Sequence, residues 1–109
     1  MGLMGLEADI EKEFVAYCES KGCLCLKLIL ANGRGFPDRT VITPNGQVIF
    51  FELKRPGGKL SAAQKKWISK LKENGKHVYV VDTIAEATKR LDEHLKTNCA
   101  CGVDVQQSR

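Results

Sequence analysis

The apolar positions along the chain change their spacing from one segment to the next. Over residues 6–20 they recur every three or four positions, which predicts an amphipathic helix. Over residues 23–30 the chain is almost continuously apolar, and this run predicts a short buried strand. Gly, Asn and Pro residues over 32–37 then indicate a loop.

The second half of the chain alternates strand and helix patterns. Two predicted strands, 39–43 and 47–53, flank the turn sequence Pro44-Asn45-Gly46, which is typical of a β-hairpin. A helix over 61–74 opens with the capping-box pair Ser61 and Gln64, and a strand at 78–81 and a helix over 83–96 follow. This order predicts one α/β domain around a mixed sheet over residues 1–96. We expect the polar residues 97–109 to form a flexible tail.

Composition and charge narrow the class of protein. The 109 residues are 43% hydrophobic and 28% charged, which is ordinary for a globular domain with one core. The net charge of +4 is compatible with an anionic partner and does not require one. No apolar run approaches the ~18 residues of a membrane span, and the start lacks the pattern of a secretory signal. We therefore expect a cytoplasmic protein that does not associate with membranes.

The five cysteines leave two interpretations open. Four of them form two Cys-x-Cys pairs, Cys23/Cys25 and Cys99/Cys101, and four thiolates could hold a structural zinc ion. Residues two apart on a strand also share a face, so Cys23 and Cys25 could simply pack as small hydrophobic side chains. In a cytoplasmic protein we expect these thiols to be reduced.

A candidate catalytic pattern begins where the most apolar strand ends. Residues 48–51 are apolar on both faces, so this strand is predicted to be central in the sheet. Glu52 and Lys54 then follow on one face of the strand, at a rim where clefts form. The alternative is a surface ion pair with no further role.

The hairpin register decides where Asp38 lies. A three-residue loop, Pro44-Asn45-Gly46, places Asp38 opposite Glu52, whereas a two-residue loop places it opposite Leu53 on the other face. Two facing carboxylates repel each other unless a cation lies between them, and oxygen ligands suit Mg²⁺ or Mn²⁺. A metal, two carboxylates and a lysine are suited to phosphodiester hydrolysis. A hairpin with a chance acidic pair is the structural alternative.

The wider pattern resembles the VRR-NUC (virus-type replication-repair nuclease) family of the PD-(D/E)XK nuclease superfamily. This resemblance covers roughly residues 7–95 and implies a restriction-endonuclease-like αβββαβα core with divalent-metal-dependent cleavage of DNA. The matching residues are Glu7, Lys27, Gly35-Phe36-Pro37-Asp38-Arg39, Glu52-Leu53-Lys54, Leu60-Ser61, Gln64, Gly75 and Val78-Tyr79-Val80-Val81.

The resemblance also implies roles for individual residues. Asp38 and Glu52 would be metal ligands together with the backbone carbonyl of Leu53, and Lys54 would be the catalytic lysine. Glu7 would complete the metal site through a water molecule; otherwise it is a carboxylate favoured by the helix dipole. Gln64 would orient Lys54 or contact phosphate; otherwise it serves the capping box alone.

Basic residues around the predicted site indicate a DNA-binding surface. Their contacts would position the duplex without reading its sequence. These residues are Lys27, Arg34, Arg39, Arg55, Lys59, Lys65 and Lys66.

The resemblance implies a substrate and an assembly as well. Freestanding members of this family are similar to Holliday-junction resolvases, which implies a homodimer acting on four-way junction DNA, encoded by a phage or its bacterial host. Two alternatives stay open. One is a flap, duplex-repair or restriction-like endonuclease of the same superfamily, and the other is a DNA-binding module that has lost the chemistry.

Overall fold

Three helices and four strands alternate along residues 6–96, the part of the chain that this computed structural model describes. The elements are α1 (Leu6–Ser20), β1 (Leu24–Leu26), β2 (Arg39–Ile42), β3 (Val48–Leu53), α2 (Ala62–Glu73), β4 (His77–Val81) and α3 (Ile84–Lys96). The predicted order of elements is confirmed. The predicted tail, with Cys99 and Cys101, lies outside the described residues.

The four strands form one mixed sheet in the order β1-β2-β3-β4. β1, β2 and β3 pair antiparallel, and β3 pairs with β4 in parallel, with α2 as the connection between those two strands. β3 therefore has a partner on each side, and five of its six residues are buried. This arrangement confirms the mixed sheet and the central position of the third strand.

The hairpin between β2 and β3 has a three-residue loop, the one of the two alternatives that places Asp38 opposite Glu52. Ile42 pairs with Val48 in the ladder, and the Thr43 N–H donates to the Gln47 carbonyl at 2.9 Å. Gly46 closes the loop, donating its N–H to the Thr43 carbonyl at 2.9 Å. Its φ of 87° lies in the left-handed region, which glycine adopts without steric cost. The register of the whole hairpin follows from this turn.

Helices cover both faces of the sheet. α1 and α3 pack on one face, where Phe14 and Leu91 meet Phe51 of β3 in the larger core cluster. α2 packs on the other face, where its Ile68 meets Phe50 and Val78. Side chains along β3 alternate between these two cores, as the period of a strand requires. Among the described helices, none is both long enough and apolar enough to cross a membrane.

The prediction of a strand over 23–30 is wrong in its second half, since β1 ends at Leu26 opposite Thr40. Continuing the ladder in the same register would place Pro37 opposite Ile29, and proline has no N–H to donate to a ladder. Lys27 and Arg39, which would face each other, both bind Glu11 of α1. Residues 27–37 leave the sheet as an irregular segment, although their first part is as apolar as a strand.

Candidate active site

Asp38 and Glu52 come together where the β2–β3 hairpin ends. The pairing of Arg39 with Phe51 is the last in the ladder, and the same register places Asp38 opposite Glu52. Asp38 leaves the strand path and accepts a hydrogen bond through Oδ2 from the Leu53 N–H at 2.8 Å. The two carboxyl groups therefore share one face of the sheet, the face that α2 covers.

The Glu52 side chain is 1% exposed, and its two oxygens have different surroundings. Oε2 accepts a hydrogen bond from Gln64 Nε2 at 2.8 Å and lies 3.7 Å from Lys54 Nζ. Oε1 is buried without a hydrogen-bond partner in the described part of the chain. A buried acceptor left without a partner costs about 1–3 kcal/mol, so this oxygen is suited to binding a cation.

Electrostatics at this pair also favour a cation. Burial, and after it the nearby charge of Asp38, raise the pKa of Glu52 to about 7 against the opposing effect of Lys54. Burial likewise raises the pKa of Asp38, while the hydrogen bond from the Leu53 N–H lowers it. Both carboxyl groups thus resist ionisation in the bare protein. A divalent ion between them would offset this cost, and hard oxygen ligands suit Mg²⁺ or Mn²⁺.

Gln64 joins the first turn of α2 to the site. Its N–H donates to the Ser61 hydroxyl at 3.1 Å, and its Oε1 accepts from the Ser61 N–H at 2.8 Å, which completes the predicted capping box. The amide nitrogen at the other side of the same group donates to Glu52. Gln64 therefore contacts the carboxylate directly, whereas the resemblance implied a contact with Lys54 or with phosphate.

A close backbone contact brings the segment before Asp38 against α2. Gly35 has a φ of 87°, and a β-carbon at this position would lie 2.6 Å from the backbone carbonyl carbon of Ala63. Only glycine permits both this conformation and this approach. Two residues later Pro37 is buried, and Asp38 follows it into the site. The separation of Asp38 from Gln64 thus depends on a glycine.

Glu7, at the start of α1, contacts the backbone just after Lys54. Glu7 accepts a hydrogen bond from the Arg55 N–H at 3.3 Å, one residue beyond Lys54. Within residues 6–96 no three or more acidic, histidine or cysteine side chains converge as a metal-binding group, so Glu7 does not directly join Asp38 and Glu52. A bound water between Glu7 and the metal stays a prediction.

Glu11, which the sequence analysis did not select, lies closer to the chemistry. It binds Arg39 Nε at 2.8 Å and Lys27 Nζ at 3.3 Å, and its charge acts on Asp38. Its position one helical turn after Glu7 was the available signal, because residues four apart share a helix face.

The predicted DNA-binding residues fall into two groups. Lys27 and Arg39 are ion-paired with Glu11, and Arg39 also donates to the Cys25 carbonyl at 3.3 Å. Lys27 and Arg39 therefore stabilise contacts within the domain, in addition to any contact they make with a ligand. The remaining predicted contacts are exposed on the surface: Arg34, Arg55, Lys59, Lys65 and Lys66.

The cysteines in the described residues favour packing over metal binding. Cys18 and Cys23 are buried in the larger core cluster, and Cys25 packs against it. A hydrogen bond with Cys25, and after it burial, raise the pKa of Cys18, so this thiol stays protonated at neutral pH. The zinc alternative also needs Cys99 and Cys101, which lie outside the described residues.

Comparisons with known proteins agree with this architecture. Residues 9–85 match the family model described as the VRR-NUC domain. A solved structure of a VRR-NUC domain superposes with a TM-score of 0.75 and 27% identity, covering 82% of this chain and 97% of that one. A protein of Acyrthosiphon pisum secondary endosymbiont phage 1, named as a nuclease, p44, is 38% identical over 77 residues, which are 71% of this chain and 83% of its own.

The fold and the site define a nuclease domain, and the hydrolysis of phosphodiester bonds is its chemistry. The chain belongs to the VRR-NUC family. The family and the restriction-endonuclease-like α/β core that the sequence predicted are both confirmed.

Proposed function

We propose that this nuclease is a divalent-metal-dependent DNA endonuclease that uses Mg²⁺ or Mn²⁺. The observation that carries the proposal is the facing pair of half-buried Asp38 and buried Glu52, in which Glu52 Oε1 has no hydrogen-bond partner among the described residues. Two facing carboxylates, one of them buried, destabilise a domain that has no cation to place between them. The same pair is suited to binding a hard metal ion.

Asp38 and Glu52 would hold the ion, and the backbone carbonyl of Leu53 is a further predicted ligand. When bound, such an ion polarises a phosphoryl oxygen and lowers the pKa of a bound water molecule. Lys54, with its side chain 15% exposed beside Glu52, supplies positive charge where negative charge develops on the phosphoryl group. Gln64 and the Leu53 N–H each hold one carboxyl oxygen and so fix the orientation of both ligands.

The exposed cations favour DNA as the substrate. Arg55 and Lys59 follow β3, and Lys65 and Lys66 lie in the first turns of α2, the end of the helix that meets Glu52. Positive side chains on the rim of a metal site position an anionic backbone without reading base sequence. Selection among DNA structures must then depend on shape.

We further propose that the preferred substrate is branched DNA, with the four-way junction as the leading candidate, and that the enzyme acts as a homodimer. Two copies related by a two-fold axis would present two sites to symmetric strands of a junction. A phage-encoded relative is compatible with action in the bacterial cytoplasm.

Cleavage of four labelled DNAs of shared sequence tests the proposal: a four-way junction, a flap, a linear duplex and a single strand. Each is incubated with Mg²⁺, with Mn²⁺ and with chelator, alongside the Lys54→Ala variant. We expect metal-dependent, paired nicks in the junction that are absent from the variant. Equal cleavage of all four DNAs would retain the nuclease and reject the junction preference. A folded, DNA-binding protein that cuts none of them would support the non-catalytic module.

The solution mass, measured by light scattering at the concentrations of the cleavage assay, tests the assembly. A dimer is expected with or without DNA. A monomer that still makes paired nicks at the same rate would reject the dimer as the source of symmetry.

A further inference from the structure

The segment that follows β1 exposes apolar side chains. Leu28 is 43% exposed and Ile29 is 83% exposed, directly after the strand ends at Leu26. Single exposed hydrophobic residues are common, but adjacent ones on an irregular segment beside a functional cleft are characteristic of a binding site. The same side chains belong to the apolar run that resembled a buried strand in the sequence.

These side chains share a cleft with the candidate metal ligand. Residues 27–30 form one part of a cavity of about 240 Å³, and residues 33–38 form the rest, ending at Asp38. A DNA strand that places a phosphate at Asp38 would therefore bring its neighbouring bases to Leu28 and Ile29.

Both ends of this segment are held firmly. Lys27 is ion-paired with Glu11, and Gly35 lies against the backbone of α2. Phe36 packs edge to face against Phe50 and Trp67, with ring centroids 5.6 and 5.3 Å apart. A segment fixed in this way loses little conformational entropy when it binds a ligand.

The charges on both sides of Leu28 and Ile29 favour DNA, and not a second copy of the chain, as the ligand of these side chains. Lys27 precedes the two residues with 53% of its side chain exposed, and the exposed Arg34 follows them. Cations on both sides of an apolar pair match the arrangement of phosphates on both sides of a base step. The core of a protein–protein interface is instead depleted of charge.

We propose that Leu28 and Ile29 form an apolar wedge that inserts between bases beside the scissile phosphate and unstacks them. Apolar side chains of this kind separate base steps in other DNA complexes. The wedge rests on the proposed function, because it assumes DNA in the Asp38 cleft. It deepens that function by naming the substrate class: DNA whose bases unstack readily at the cleavage point, as they do at a branch.

The test compares Ile29→Ser with Leu24→Ser. Leu24 is also apolar and 57% exposed and lies on the edge strand β1, five residues before Ile29, but it does not line the cleft. Base unstacking is followed by 2-aminopurine fluorescence beside the branch, in a Lys54→Ala background with Mg²⁺ and with protein saturating the DNA by gel shift. We expect the fluorescence to rise when the protein with isoleucine and leucine in place binds the DNA. The rise should be absent with Ile29→Ser and present with Leu24→Ser.

Cleavage gives a second readout. In otherwise unaltered protein, Ile29→Ser should cut a fully paired branched DNA about tenfold more slowly, since the energy of unstacking is no longer offset. A substrate with mismatched, already unpaired bases at the same point should restore its rate to within about twofold of the original protein. Equal loss on both substrates, or no loss on either, would overturn the wedge.

The outcomes separate the wedge from the proposed function. A fluorescence rise in the Lys54→Ala background, with no cleavage of any DNA by the unaltered protein, would reject the proposed endonuclease function and retain Leu28 and Ile29 as a wedge beside the Asp38 cleft. Metal-dependent cleavage with no fluorescence rise would reject the wedge alone. A halved solution mass in both serine variants would assign this face to a second copy of the chain and overturn the proposal.

Discussion

Asp38 accepts its hydrogen bond from the N–H of Leu53, the residue between Glu52 and Lys54. The ladder between β2 and β3 ends at the pairing of Arg39 with Phe51. Beyond that pairing, the bond from Leu53 to Asp38 holds the end of the irregular segment against the end of β3. It also occupies Oδ2 and fixes the direction of the carboxyl group. The candidate site is thus assembled by backbone pairing together with one side-chain bond at its edge.

Replacing Glu52 by Gln should abolish cleavage and stabilise the metal-free protein. Because the pKa of Glu52 is raised from its ordinary 4.5 to about 7, the folded state loses stability as the pH rises between these values. Above pH 7 the variant, which carries no buried charge there, should therefore melt at a higher temperature than the original protein in chelator. Thermal unfolding with and without Mn²⁺ provides the measurement.

In the same experiment Mn²⁺ should raise the melting temperature of the original protein and leave that of Glu52→Gln unchanged, since only binding to the folded state stabilises it. Glu73→Gln, an exposed change at the end of α2, is the control. A stabilisation by Mn²⁺ that survives in Glu52→Gln would place the metal elsewhere.

Gln64 and Ser61 separate the stability of α2 from the function of the site. Ser61→Ala removes the N-cap and should cost about 1 kcal/mol of stability while leaving the cleavage rate per folded molecule nearly unchanged. Gln64→Ala removes the contact with Glu52 as well, and losses of this kind reduce metal affinity or activity about 10- to 100-fold. The free energy of unfolding and the cleavage rate are measured for both variants. Equal cleavage rates in Ser61→Ala and Gln64→Ala would show that Gln64 serves only the capping box.

Gly35→Ala and Gly46→Ala test the close approach of the segment before Asp38 to α2. Both glycines have a φ of 87°, so alanine costs roughly 1–2 kcal/mol of strain at either position. A β-carbon at Gly46 meets no atom within 4 Å, whereas at Gly35 it lies 2.6 Å from the Ala63 backbone. Gly35→Ala should lose more stability and also lose cleavage. Matching behaviour of the two variants would show that the contact with α2 is not essential.

The salt dependence of DNA binding should identify Lys65 as a phosphate contact. Lys65→Ala should reduce the slope of log K against log salt by about one unit, because each neutralised phosphate releases about one counterion. Lys72→Ala, in the last turn of the same helix, is the matched control and should leave the slope unchanged. A slope unaltered in Lys65→Ala would remove this residue from the DNA-binding surface.

His94, which contacts Gln47 beside the hairpin turn, should make the free energy of unfolding depend on pH. Its Nε2 lies 2.7 Å from the Tyr79 hydroxyl and its Nδ1 lies 2.7 Å from Gln47 Oε1. Burial, and then the neighbouring His77, lowers the pKa of His94 below its ordinary 6.5. The stability from neutral His94 is complete above pH 6.5 and is lost as the pH falls from 6.5 to the lower value of the folded state.

Denaturant unfolding at several pH values measures this effect, and His94→Gln should show a flatter curve below pH 6.5. Acidic groups titrate in both proteins, so the difference between the two curves isolates His94. Parallel curves would contradict this assignment.

The hairpin was more predictable from the sequence than the segment that follows β1. The turn Pro44-Asn45-Gly46 predicted the hairpin but left two loop lengths open, and the observed three-residue loop sets the register that places Asp38 opposite Glu52. The apolar run 23–30 was misleading, because hydrophobicity indicates a strand only when the next strand can pair with it. Beyond Leu26 the pairing would meet Pro37, which has no N–H to donate, and a single segment cannot reveal its future neighbour.

Tertiary contacts account for most of what the sequence did not predict. Glu11 acts through Lys27 and Arg39, which are 16 and 28 residues away in the chain. His94 reaches Gln47 across 47 residues. No local pattern specifies such pairs, since they depend on which helix packs over which strand.

The Gln64 side chain has a consequence for how this sequence can vary. Its oxygen serves the backbone of Ser61, and its nitrogen serves Glu52. Glutamate would keep the first bond and set a second negative group against Glu52, while asparagine offers the same two atoms on a stem one carbon shorter. The stability of α2 and the geometry of the candidate site therefore both constrain the residue at position 64. A substitution that suits only one of the two would disturb the other.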